Sequence, residues 1–367
     1  MKVGIVGLPR VGKTTVFNLL TRGEVDTASW GGRGEAHVGV ARVPDARVDR
    51  LAEIFSPRKV TYATVEYVDL PGLSRGEGKT GTEAQALATY LNSLKNVDAL
   101  VHVVRAFEDP GIAHSEGTVN PARDVELFEL EMIFSDLVVV EKRLDRLGKD
   151  LKKSRNAELE LEQQILTRFK AALEGERPLR ELALTADEAR RARGFTFLSA
   201  KPLLLVVNLG DSDARRIASV VDSFGLQKAA SRPMVRVTAV CGKIEAEIAA
   251  LPPEDARMFM QDLGISSGWL DRVIHESYSL LGLVSFYTAG DPEVRAWTIT
   301  GGMTAPQAAG VIHTDFEKGF IKAEVVSYSD MVELGSFSSA RNKGALRLEG
   351  RDYVVRENDV ILFRFNV

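Results

Sequence analysis

Gly7-Leu8-Pro9-Arg10-Val11-Gly12-Lys13-Thr14 places two glycines, a lysine and a hydroxyl in the order G-x-x-x-x-G-K-[ST]. This is the pattern of a loop that cradles phosphates. Glycines let the main chain wrap closely around an anion with its N–H groups turned inward. The amides of Arg10, Val11, Gly12, Lys13, Thr14 and Thr15 are the candidate phosphate contacts. Lys13 has the reach to neutralise β- and γ-phosphate charge, and the Thr14 hydroxyl suits a Mg²⁺ ion. An accidental glycine-rich turn would match the letters but need not have the right neighbours. Here Lys2-Val3-Gly4-Ile5-Val6 reads as a buried strand leading into the loop. Thr15 to Leu20 reads as the first turns of a helix, whose positive end faces the same anion.

A second element follows the apolar run Val65 to Leu70. Asp69-Leu70-Pro71-Gly72 is a D-x-x-G, whose Asp can hold Mg²⁺ through water and whose Gly72 amide can sense a γ-phosphate. The bland reading is an Asp-initiated turn after a strand. Asn208-Leu209-Gly210-Asp211 follows the strand Leu203 to Val207. GTPases carry N-K-x-D there, with the Asp reading the guanine edge and the Lys packing over the base. Leu209 replaces that Lys, so adenine and guanine both stay open. The same loop would also serve to cap the next helix through Asp211 or Ser212. Cys241-Gly242-Lys243, after the strand ending at Val237, falls where a second base-contacting loop belongs.

The position after D-x-x-G is Leu73, where Ras-like enzymes carry a glutamine that orients the attacking water. An aliphatic side chain cannot polarise water. His114, in the polar segment Ile112 to Gly117, is the candidate for that task. His102, inside the apolar run Leu100 to Val104, reads instead as a satisfied buried histidine.

These residues need a scaffold, and the chain supplies a recognisable one. Residues 2–110 alternate apolar runs with helical patterns, as in an α/β fold with a parallel sheet. Leu130, Ile133, Leu137, Val140, Leu144, Leu147 and Leu151 then step by three and four, a heptad seam. After a break at Lys153 to Asn156, Leu159, Leu166, Phe169 and Leu173 answer it. A helical hairpin closing near Gly175 and Pro178 is expected, projecting into solvent on the evidence of its charged flanks. The α/β texture resumes with Leu203 to Val207 and Met234 to Val237, so the hairpin is an insertion. A helix is expected around Leu270 to Leu281. Val284 to Tyr287, Ala296 to Thr300, Ile321 to Val326 and Val360 to Phe365 read as strands of a small α+β domain, with a helix at Pro306 to Ile312.

Bulk properties narrow the classes. A net charge of −4 over 367 residues argues against polyanion binding driven by overall charge. One cysteine, Cys241, excludes an intramolecular disulfide and suits a reducing compartment. No apolar run approaches the ~18 residues of a membrane span, and the opening strand leaves no room for a signal peptide. A cytoplasmic location and no membrane partner are expected.

Several runs together resemble the YchF/Obg-like ATPase subfamily of Obg-related P-loop NTPases. They are GIVGLPRVGKTTVFNLLT, VGVARVPDARVDRLAEIF, EYVDLPGL, VHVVRAFED, and EVRAWTITGGMTAPQAAGVIHTDFEKGFIKAEV through RDYVVRENDVILFRFNV. The resemblance spans essentially the whole chain. It implies an Obg-type, Ras-like nucleotide domain over 1–123 and 196–279, an inserted hairpin over 124–195, and a C-terminal ubiquitin-like TGS domain over 280–367. It implies ATP or GTP as substrate, Mg²⁺ held by Thr14 and Asp69, and slow hydrolysis as a molecular switch. Lys13, Gly72 and His114 would be the catalytic residues. Asn208, Leu209, Asp211 and Cys241 would line the base, with the Leu209 main chain contacting it. The implied partners are the ribosome, through its large subunit, and RNA; a monomer is the favoured state. Lys318, Lys322, Arg341, Lys343 and Arg347 are candidate RNA contacts, with an ordinary solvated surface as the bland reading.

The chain also departs from that pattern. Leu73 is a trait of the group, but Asp211 stands where relatives carry Glu, and Arg10 where they carry Asn. The switch segment reads Thr27 to Glu35, with Thr27 and Ser29 as the nearby hydroxyls. Ala106 replaces a common cysteine, which counts against redox control. A non-enzymatic alternative is a nucleotide-loaded RNA- or ribosome-binding module with negligible turnover. A small-molecule kinase fits the D-x-x-G and N-x-x-D elements less well.

Overall fold

The computed structural model describes residues 1–21, 37–70, 90–154, 156–262 and 268–366. The expected positions Thr27, Ser29, Gly72 and Leu73 lie outside them. The chain divides into two compact units. One comprises 1–39 and 66–273, the other 40–65 and 274–367.

The strands in chain order begin β1 (Lys2–Val6), β2 (His37–Arg42), β3 (Val60–Thr61), β4 (Thr64–Asp69), β5 (Ala99–Arg105), β6 (Leu203–Asn208) and β7 (Val235–Val240). The first sheet has the order β2-β4-β1-β5-β6-β7. The pairs β1–β4, β1–β5, β5–β6 and β6–β7 are parallel. Parallel strands are covered on both faces, so β5 and β6 are buried along their whole length. That is why they read in the sequence as largely apolar runs, with His102 the one polar residue inside β5. Ligands of such sheets collect at the carboxyl ends of the strands. Asp69, Arg105, Asn208 and Val240 end their strands there.

The helices begin with α1 (Lys13–Leu20), α2 (Ala46–Phe55), α3 (Pro121–Lys153) and α4 (Ala157–Glu174). Asn120 caps α3 by accepting from the Arg123 amide at 3.1 Å, with Pro121 in the first turn. The helix thus starts ahead of the expected boundary at 124. Asn156 caps α4 through the Glu158 amide at 2.8 Å. Ile133, Val140 and Leu147 of α3 form one core with Ile165, Leu166, Phe169 and Leu173 of α4, and Leu179 and Phe197 extend it. Ile133, Leu137, Val140, Leu144 and Leu147 of the expected seam pack in this core, while Leu130 stays 39% exposed and Leu151 lies outside it.

Buried polar groups hold α3 to the segment that follows the hairpin. The Asp136 carboxylate accepts from the Leu198 amide at 2.9 Å and from the Ser199 amide and hydroxyl, each at 2.7 Å. Arg180 donates to Glu129 at 2.6 Å, with both side chains buried.

The remaining strands are β8 (Leu283–Ala289), β9 (Val294–Thr300), β10 (Phe320–Ser327), β11 (Arg347–Glu349) and β12 (Asp359–Phe365). They form a mixed sheet of order β11-β10-β12-β8-β9-β3. The helix Ala305–Ile312 turns Ala305, Ala308 and Ala309 onto Phe286, Ile299, Phe320 and Phe363. Small residues there let the helix approach closely. Residues 40–65 were expected in the nucleotide domain, but they group with this second unit. β3 adds to its sheet edge beside β9. Asp45, the α2 cap, accepts the Tyr287 hydroxyl at 2.7 Å and the Arg47 Nε at 2.7 Å. Among the described residues no helix is long and apolar enough to cross a membrane.

Asp136→Asn keeps the shape but sets an NH₂ group against N–H donors. We expect a loss of about 1–3 kcal/mol in denaturant unfolding, the cost of unpaired buried polar groups. Burial pushes the Asp136 carboxyl up to about 6, against the opposing pull of its donors. A carboxyl with a raised folded pKa takes up a proton on folding, so its contribution to stability grows as pH falls from about 6 toward 4. The stability difference between wild type and Asp136→Asn should widen over that range.

Candidate functional site

The loop between β1 and α1 is shaped by its neighbours. Gly12 has φ +97°, and a Cβ there would lie 2.4 Å from the Asn208 Nδ2. Arg10 adopts the left-handed region at φ +61°. Gly12 starts α1 with no side-chain cap, so the first amides of the helix remain available to an anion. Val11 buries its side chain, and its carbonyl accepts from Asn208 Nδ2 at 3.0 Å.

Lys13 curls back over the loop, donating to the carbonyls of Gly7 at 3.0 Å and Leu8 at 2.8 Å. Burial lowers its ammonium to about 8, partly offset by Asp69. The Thr14 hydroxyl donates to Asp69 Oδ2 at 3.0 Å. Asp69 Oδ1 is buried with no hydrogen-bond partner among the described residues. Burial raises the Asp69 carboxyl, while Thr14, Lys13 and His37 pull the other way. A hydroxyl beside an orphaned carboxylate oxygen is a hard-oxygen pair that fits Mg²⁺. Among the described residues no cluster of three or more His, Cys, Asp or Glu forms a metal cage. A P-loop site needs none, because phosphate and water oxygens complete the shell.

A cavity of about 590 Å³ opens beside this loop. That volume suits a nucleotide-sized ligand. Arg10, Gly12 and Thr15 line one side and Asn208, Leu209 and Asp211 another, so six expected residues meet there. Phe107, Glu108, Asp109, Ile112, Gly210, Gly242, Lys243 and Ala246 complete the wall. Phe107 and Glu108 stood within the quoted run VHVVRAFED, but their types gave no sign of a role.

The base-side residues are more constrained than their spacing suggested. Asn208 is buried and spends its amide on main chain, donating to Val11 O and accepting from the Gly242 amide at 3.1 Å. Asp211 is already engaged by Lys243 Nζ at 2.5 Å and Cys241 Sγ at 3.4 Å. The Lys243 hydrogen bond draws its carboxyl below the usual range. Cys241 is buried, and burial pushes its thiol up to about 11, so it is a poor thiolate.

His114 is not on the cavity wall. Its Nε2 lies 3.0 Å from Asp124 Oδ2, outside good hydrogen-bond alignment. Its Nδ1 accepts the Glu116 amide at 3.1 Å. His102 is fully buried against Phe128, and burial drives it down to about 3. Its Nδ1 has no partner among the described residues, so it is neutral but not satisfied as expected. Two of the five basic candidates in the second unit are internally paired: Arg341 with Glu324 at 2.9 Å, and Arg347 with Glu349 at 3.0 Å and Asp359 at 3.3 Å.

A parallel sheet, a glycine-rich loop opening a helix, and a carboxylate against the Thr14 hydroxyl define a P-loop NTPase. Residues 2–142 match the family described as 50S ribosome-binding GTPase. Residues 283–366 match YchF-GTPase_C, described as a protein of unknown function. The chain is 40% identical to the Ribosome-binding ATPase YchF of Bacillus subtilis, over 100% of both chains. It is 42% identical to the protein of the same name from Haemophilus ducreyi, over 100% of this chain and 99% of that one. The solved structure of the Schizosaccharomyces pombe YchF GTPase aligns with a TM-score of 0.85 at 30% identity, covering 99% of this chain and 97% of that one. The chain belongs to the YchF/Obg-like ATPase family.

Lys13→Met retains bulk and removes the charge. We expect affinity for a non-hydrolysable nucleoside triphosphate to fall by about tenfold or more, as for a lost charge-assisted hydrogen bond. Fluorescent-nucleotide titration measures it.

Proposed function

We propose that the chain binds a nucleoside triphosphate with Mg²⁺ and hydrolyses it slowly, as a switch that associates with the ribosome. The observation that carries this reading is the cavity running from Arg10, Gly12 and Thr15 to the loop at Asn208–Asp211 and the helix that starts at Gly242. The amides of 10–15 cradle the phosphates, and Lys13 leaves the Gly7 and Leu8 carbonyls to neutralise β/γ charge. Thr14 and Asp69 would hold Mg²⁺, which when bound neutralises phosphate oxygens. The Gly72 amide senses the γ-phosphate. The relatives named ribosome-binding ATPases support both the activity and a ribosomal partner. A contact with the large subunit and RNA draws on Lys318, Lys322 and Lys343 more than on the paired Arg341 and Arg347. We place the action in the cytoplasm.

The engagement of His114 by Asp124 supports slow turnover: the ring must leave that contact to meet a water at the phosphate. It also keeps the second reading alive, a nucleotide-loaded module with negligible turnover. Phosphate release no faster than that of Lys13→Ala would favour that module. A His114→Ala variant that hydrolyses at the wild-type rate would remove this residue from the chemistry.

Asp211 bears on the choice of base. Its two oxygens are held by Lys243 and Cys241, so guanine must displace those partners to use it. We therefore expect tighter calorimetric binding of an ATP analogue than of a GTP analogue. Lys243→Met should raise GTP-analogue affinity relative to ATP-analogue affinity by about two- to fivefold, the scale of an exposed ion pair. Tighter GTP binding by the wild type would mean that Asp211 reads guanine.

A further inference from the structure

We propose that Arg105 is the positioning residue for the nucleoside-side wall of the cavity, and that it governs nucleotide affinity rather than the rate of hydrolysis. The inference rests on the nucleotide reading of that cavity and adds a residue to it.

Arg105 is the last residue of β5 and is 1% exposed. Burying a guanidinium is costly unless its donors are met. No carboxylate pairs with it among the described residues. Its donors instead go to main-chain carbonyls of a single loop. Nε donates to Phe107 O at 2.9 Å, Nη1 to Ile112 O at 3.0 Å, and Nη2 lies 3.5 Å from Asp109 O. Its guanidinium carbon also stands 4.5 Å from the Phe107 ring centroid.

The residues so held are the wall itself. Phe107, Glu108, Asp109 and Ile112 all line the cavity. The loop lies outside any helix or strand, so its carbonyls need donors from elsewhere. The rigid fork of arginine reaches three of them at once, which a lysine ammonium on a flexible stem cannot do with the same geometry. On its other side the wall leans on the base loop. A Cβ added to Gly210 would meet the Phe107 Cβ at 3.3 Å. The Ala106 amide donates to Asn208 O at 2.9 Å, fixing the start of the loop to the end of β6. Arg105 from beneath and Gly210 from the side therefore set where Phe107 stands.

Among the described residues this wall has no hydrogen bond or ion pair with Lys13 or Asp69. Loosening it should weaken binding of the whole nucleotide and spare binding of its phosphate tail. A general structural role would weaken both together. This distinction is the test.

The full chain with Arg105→Lys is compared with wild type by calorimetric affinity for an ATP analogue, kcat and KM for ATP, the inhibition constant of inorganic tripolyphosphate, and thermal unfolding. We expect analogue affinity to fall and KM to rise by about tenfold or more, as for lost charge-assisted hydrogen bonds. Saturating kcat and the tripolyphosphate constant should stay within about twofold. Gly210→Ala, which presses Phe107 from the other side and leaves the guanidinium intact, should show the same signature and serves if Arg105→Lys does not fold. Unchanged analogue affinity in a folded Arg105→Lys would overturn the proposal. So would a parallel loss of tripolyphosphate inhibition, or a drop in kcat with KM unchanged. A wild-type chain that binds neither ATP nor GTP analogue would instead refute the nucleotide reading of the cavity.

Discussion

Asn208 donates to the carbonyl of Val11 and accepts from the amide of Gly242, and so closes three loops into one cavity. Its side chain is buried at the carboxyl end of β6, where both halves of a carboxamide must find partners. The phosphate loop takes its curvature against this group. A glycine is required at position 12 because the Asn208 nitrogen stands where any Cβ would go. The base loop and the start of the helix Gly242–Ile248 are held in register by the same side chain. Remove the brace, and the phosphate and base ends of the site lose their common reference.

The two ends of the cavity use different physics. At the phosphate end charge dominates: Lys13 is buried enough for its ammonium to be lowered, and Asp69 keeps an oxygen without a partner among the described residues. An anion and a cation arriving together would satisfy both. At the nucleoside end main-chain geometry dominates. Asn208 and Arg105 spend their polar groups on carbonyls and amides, while Leu209 and Phe107 supply apolar surface. The second unit is organised around its own buried group, Asp45, which caps α2 and binds both Tyr287 and Arg47. Of residues 40–65, only β3 joins the C-terminal sheet, although in sequence the stretch separates two elements of the nucleotide site.

What the sequence made legible was local. The P-loop is contiguous, so its spacing alone specified a strand, a loop and a helix. β5 and β6 were visible as largely apolar runs because both faces are buried, and the hairpin because its seam repeats over many turns. The features that escaped depend on partners far along the chain. Asn208 braces a loop 197 positions away. β3 has only two residues and pairs with β9, so no pattern marks it. Arg341 looked free because Glu324 lies on β10, and Arg347 because Asp359 lies on β12, although Glu349 stands two residues from it on β11. His114 looked available because nothing in its own segment announces Asp124. Arg105 was hidden differently: its partners are close in sequence, but they are carbonyls, which every residue has.

Calorimetric titration of Asn208→Asp with an ATP analogue and Mg²⁺ tests the central claim most directly. The substitution is nearly isosteric, keeps the acceptor for the Gly242 amide and sets a carboxylate oxygen against the Val11 carbonyl. If the brace builds the cavity, affinity should fall by about tenfold or more in a chain that still unfolds cooperatively. Wild-type affinity in that variant would contradict the account, because the phosphate loop would then hold its shape without Asn208.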